Sequence, residues 1–101
     1  MTSARWLERH TAHAPPALRA RVYEYAATQA SDGTAEPAAL ACAGQEALGR
    51  VLEHPGDRSV ALDLLAADAL ITLALLAQAQ RAPAELGVFA TTLLRNVPPG
   101  T

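Results

Sequence analysis

The chain has 101 residues, enough for one domain with a single core. Half of them are hydrophobic but only 4% aromatic, so any core is built mainly of leucine and alanine, and a net charge of −2 is too small to select an acidic or a basic partner. A single cysteine, Cys42, excludes an intrachain disulfide framework and fits a reducing compartment.

Every lysine-or-arginine position is an arginine, which with the abundant alanine points to a GC-rich bacterial genome. Residues 1–24 carry four arginines against two glutamates, and the remainder four arginines against eight acids. No clustered basic stripe or aromatic stacking platform accompanies the basic arm, so nucleic acid is not favoured as a partner. The first residues hold Glu8 and two histidines and no apolar h-region, so no signal peptide is expected and the cytoplasm is the expected location.

Taken in order, Ser3 caps a short predicted helix over 3–13 that stops before Pro15-Pro16. Trp6, His10 and His13 fall on one face of it. No carboxylate or cysteine has a matching spacing, so no metal is expected there. Trp6 reads as an anchor to the core, with the histidines at its margin. A second helix begins at Pro16, a favourable first position, and runs to about residue 30. Leu18, Val22, Tyr25 and Gln29 face inward, while Arg19, Arg21 and Glu24 point elsewhere. Ser31-Asp32-Gly33-Thr34 is a loop.

The third helix spans about 36–54. Leu40, Ala43, Gly44, Ala47, Leu48 and Val51 make a stripe of small residues that lets a neighbour approach closely. Gly44 and Gly49 each cost about 1 kcal/mol of helix stability relative to alanine, which calls for a packing reason. Cys42 lies on the other face beside Glu46 and Glu53, a setting that does not activate a nucleophile, and His54 projects from the opposite side.

Pro55-Gly56 breaks the chain, and Asp57 or Ser59 is placed to cap the next helix, about 58–81. Its apolar run Val60 to Ala79 leaves no wide polar stripe. Val60, Leu64, Ile71 and Leu75 share one face, Leu65 and Leu76 a second, Leu62 and Leu73 a third, and Leu70 lies near Asp63 on a fourth. A helix apolar all round is buried in protein or spans a membrane. Its nine Leu, Ile and Val residues return roughly −3 to −5 kcal/mol on an insertion scale. A central aspartate costs about +2.5 to +3.5 kcal/mol and Asp63 adds to it, so a span gains nothing and a soluble buried helix is expected. Asp63, in the first turns, reads as an exposed charge suited to the helix dipole. Asp68, mid-helix, reads as covered. A covered carboxylate needs a partner: an arginine of the first two helices, Thr72 one turn on, or a tyrosine hydroxyl.

The run LLAADALITLALLAQA (residues 64–79) resembles a helix of the trans-isoprenyl diphosphate synthases. It covers about a sixth of the chain. The aspartate-rich metal-diphosphate motifs of that family are absent and the chain is far too short for its fold, so no function is carried across. The last helix, 83–96, shows the cleanest amphipathic spacing, with Leu86, Phe89, Ala90, Leu93, Leu94 and Val97 inward and Thr91, Thr92 and Arg95 outward. Residues 97–101 read as a frayed tail.

The expectation is an all-α protein, one domain with a four- to five-helix bundle around a central hydrophobic helix. The first functional expectation is self-association, most simply as a homodimer, because four short Ala-rich helices leave part of the central one uncovered. The second is a module or small enzyme holding an apolar molecule, with Asp68, Thr72, Tyr25, Trp6 and His10 as candidate contacts. No catalytic residue, cofactor or metal ligand is assigned.

Overall fold

The computed structural model describes residues 3–29 and 37–95. It is a bundle of five helices: α1 (Ser3–His10), α2 (Pro16–Gln29), α3 (Pro37–Glu53), α4 (Ala61–Arg81) and α5 (Leu86–Arg95). Short 3-10 turns at Arg58–Val60 and Pro83–Glu85 lead into α4 and α5, and no strand occurs among the described residues. The predicted loop over residues 31–34, Val97 and the tail lie outside the described residues, as do the side chains of Ser3, Gln29 and Ser59.

The helix limits follow local chemistry. Proline stands first in α2 and α3, where its missing N–H costs nothing. The chain reverses between α3 and α4 at Pro55-Gly56, with Gly56 at φ +83, a left-handed conformation suited to a residue without Cβ. The N-cap position of α4 is Val60, beyond both predicted caps, Asp57 and Ser59. Its side chain has no acceptor and makes no capping bond, and its own N–H closes the 3-10 turn on the Asp57 carbonyl. At the far end, Ala82 N–H closes on Gln78 O and Pro83 starts the next turn.

The α3–α4 pair is the most extensive packing in the molecule. Gly44 and Ile71 stand at similar distances from the connecting turn, as in an antiparallel hairpin. A Cβ built on Gly44 would meet Ile71 Cγ1 at 2.8 Å and Leu70 Cβ at 3.3 Å, so the small-residue stripe sets how near the two helices lie. Around this contact sit the fully covered Ala43, Ala47, Ala66, Leu70 and Ala74. Gly49 is different, with nothing within 4 Å of an added Cβ. It therefore has no packing reason, and Gly49→Ala should raise stability by up to about 1 kcal/mol. A denaturation midpoint that stays put or falls would contradict this.

α2 also runs antiparallel to α4, with Arg21 and Tyr25 at Asp63 and Leu18 and Val22 further along near Leu73. Val22 and Tyr25 are buried and Leu18 half-buried, as the spacing predicts. Trp6 of α1 reaches the far end of α4, where its Nε1–H donates to Gln80 Oε1 at 2.9 Å. α5 closes the bundle less fully than its pattern suggests. Leu93 is buried and its carbonyl accepts from Gln45 Nε2, but Leu94 is 73% exposed, because only one edge of this short helix meets α3 and α4.

The central helix is not hidden all round. Its buried positions are Asp63, Ala66, Ala67, Leu70, Leu73, Ala74 and Ala77, an arc of about 120° at 100° per residue. Opposite them Leu64 and Leu65 are 50% and 54% exposed, and Ala61, Asp68 and Thr72 are exposed too. α4 is long and apolar enough by length and composition to cross a membrane, and 39% of its most apolar window is covered by the rest of the chain.

Candidate functional site

The two aspartates of α4 exchange the environments expected of them. Asp63 is 3% exposed, whereas Asp68 lies in solvent. They are five residues apart, hence about 140° around the helix, and α2 packs over the face that carries Asp63. Arg21, expected to point away, turns inward instead. Arg21 Nη1 donates to Asp63 Oδ1 at 2.6 Å and Tyr25 Oη donates to the same oxygen at 2.7 Å. Arg21 Nε also meets Glu24 at 3.1 Å, and the Arg50 guanidinium of α3 lies 5.8 Å from the Tyr25 ring centre. The carboxylate thus ties α4 to α2, and the Tyr25 ring carries the contact on to α3. The legible signal was Arg21 and Tyr25 at a spacing of four, two donors on one face of α2.

The electrostatics agree with this geometry. Burial pushes the Asp63 carboxyl upward, but the Tyr25 and Arg21 hydrogen bonds and the arginine charges outweigh it and hold the group below its ordinary range. The Asp63 hydrogen bond raises Arg21. Burial, then the bond to Asp63, pushes the Tyr25 phenol up to about 12. A raised acid contributes stability that is complete below its unfolded value of about 10 and is lost as pH rises through the folded one. In a Tyr23→Phe variant, phenolate absorbance should therefore appear at about pH 12 while the helices persist. A midpoint near the free-tyrosine value with helicity intact would sink this assignment.

Asp68 and Thr72 stand together on a shallow cleft of about 240 Å³ between α4 and the first two helices, floored by Leu18, Val22 and Leu73 and edged by His10. His10 is held firmly. Its ring stacks on Trp6 at 4.2 Å and its Nδ1 donates to the Trp6 carbonyl at 2.9 Å, which leaves Nε2 as the ring nitrogen without a bond. Three of the five candidate contacts, Asp68, Thr72 and His10, thus share one cleft. Trp6 is buried behind His10, and Tyr25 belongs to the Asp63 network, away from it. Sequence reasoning missed Thr11, which lines the same cleft and bonds Leu7 O and Tyr23 Oη.

The remaining reactive side chains do not converge. Cys42 is exposed beside Phe89 and Thr92, and His13 and His54 are exposed elsewhere. No group of three or more His, Cys, Asp or Glu able to hold a metal ion occurs among the described residues. Every buried side-chain N or O atom has a hydrogen-bond partner among the described residues, so the polar groups still unspent lie at the surface. The comparisons with family models, curated proteins and solved structures yield no match.

Proposed function

We propose that this protein acts by association with another protein, and that the open flank of α4 is the surface it uses. The half-exposure of Leu64 and Leu65, on the longest helix among the described residues, carries the reading. Covering such a flank removes apolar area from water at roughly 25 cal/mol per Å², and contiguous exposed patches of this kind mark interaction sites. The opposite face is already occupied by α2 and α3 and by the paired Asp63, which favours a soluble bundle with one free side over a membrane span.

The test uses the double variant Leu64→Glu/Leu65→Glu, whose new charges lie in solvent and leave the core untouched. In native extracts, tagged wild-type protein should migrate as a complex larger than its own mass, and the double variant as the free chain. Wild type migrating as the free chain, or pelleting with phosphatidylcholine vesicles in a way the variant does not, would overturn the reading.

A second reading has its own observation. The cleft at Asp68, Thr72 and His10 has an apolar floor and polar edges, the layout of a site for a small apolar molecule with one polar end. Its 240 Å³ falls below the roughly 300–1,000 Å³ usual for ligand pockets, which places it second. Native mass spectrometry of freshly purified protein should show added mass if it holds, and a clean apo mass if it does not.

A further inference from the structure

The order of residues along the α4 flank is itself informative. Counted from the level of Leu70, Ala61, Leu64, Leu65 and Asp68 precede it by nine, six, five and two positions. Thr72, Leu75, Leu76 and Ala79 follow it by two, five, six and nine. All eight lie outside the buried arc of α4: Ala61, Leu64, Leu65, Asp68 and Thr72 are exposed, and Leu75, Leu76 and Ala79 are half-buried, the two leucines also touching the core at their inner edge. The flank therefore reads the same in both directions, alanine to alanine and leucine pair to leucine pair, apart from its centre, where an acceptor faces back to a hydroxyl.

Such a surface is its own complement under a twofold axis perpendicular to the helix. We infer that the molecule occupying the α4 flank is a second copy of this chain, docked antiparallel about an axis at the level of Leu70. This rests on the proposed use of that flank for association. In this register Leu64 and Leu65 lie against Leu75 and Leu76 of the partner subunit at both ends. The small Ala61 and Ala79 let the outer turns approach, and Asp68 meets Thr72 of the partner subunit twice at the centre. A parallel pairing would instead set Asp68 against Asp68 across a drying seam, a like-charge contact that such interfaces avoid. An isologous contact of this kind closes on itself and stops at a dimer.

The state of the Thr72 hydroxyl supports this register. Thr11, Thr28, Thr91 and Thr92 each return their hydroxyl to a carbonyl of their own helix or turn. Among the described residues Thr72 alone of the threonines makes no such bond, and Asp68 has neither an ion pair nor a hydrogen bond with any of them. Donor and acceptor are both unspent at the two positions that antiparallel pairing brings together.

Cross-linking tests the register. With Cys42→Ser as background, Ala61→Cys and Ala79→Cys are made separately and treated with a short bismaleimide, alone and mixed. The mixture should give a covalent dimer and neither variant alone should. Two copies of residue 61 lie at least about 27 Å apart in this register, at about 1.5 Å of rise per residue. Linking of Ala61→Cys to itself would show parallel pairing and overturn the inference. In sedimentation at micromolar concentration, the purified wild type should be a dimer. Leu64→Glu/Leu65→Glu should be a monomer with unchanged helical circular dichroism, and Thr72→Val should shift the balance toward monomer. A purified monomer whose flank-dependent complex still forms in extract overturns the second copy and leaves the association reading standing. A monomer with no such complex removes both.

Discussion

Asp63→Ala should destabilise the protein by roughly 3 kcal/mol, a large share of the 5–15 kcal/mol that usually holds a domain folded. The carboxylate is buried and accepts from both Arg21 and Tyr25, so its removal strands a guanidinium and a phenol that were desolvated to meet it. Arg21 is partly exposed and can recover water, which keeps the loss toward the lower end of the range for a broken buried pair. Tyr25→Phe removes one bond and leaves the ring packing, so about 1 kcal/mol is expected, and the two losses should not add. The acid side has a defined sign. Asp63 is held below its ordinary value, so its contribution is complete above about pH 4 and fades as pH falls through the folded value. Urea unfolding of wild type and Asp63→Ala should thus differ most near neutrality and converge in acid. Equal stability at neutral pH would remove the network as a structural element.

Gly44→Val should cost roughly 2–3 kcal/mol, because even one added carbon meets Ile71 at 2.8 Å and Leu70 at 3.3 Å. The helix gains propensity from losing a glycine, but that gain is under about 1 kcal/mol and cannot offset separation of the largest helix pair. The check is a second substitution. Ile71→Ala clears the space that valine needs, so the double variant should recover much of what Gly44→Val loses, while Ile71→Ala alone destabilises. Additive losses in the cycle would mean that the glycine is not set by that contact. Gly49→Ala, on the same helix but with open space beyond it, should move stability the other way.

The contrast between these two glycines bears on what can be read from residues alone. The stripe Leu40, Ala43, Gly44, Ala47 announces a close helix contact through its spacing, and the structure places α4 against it. Gly49 carries the same letter without the same neighbour, since five residues place it about 140° around the helix from Gly44, on the face of Cys42 and Glu53. The Trp6–His10 alignment was legible for a similar reason: residues four apart on a helix meet, whatever else surrounds them.

The aspartates show where that reasoning stops. Periodicity locates the covered arc of a helix only when polar residues mark the other side, and α4 offers leucine in every direction. Its order, the proline and glycine breaks and the all-α class follow from composition and spacing, which act within a turn or two of chain. Which arc is buried depends on where α2 and α3 can reach. Hydrophobic attraction has no preferred direction and any leucine face would do. The choice falls to the groups that do have direction: an arginine and a tyrosine on α2 that match a carboxylate at residue 63, and a glycine on α3 that admits Ile71. Those contacts put Asp63 inside and Asp68 outside, and only the assembled bundle contains them.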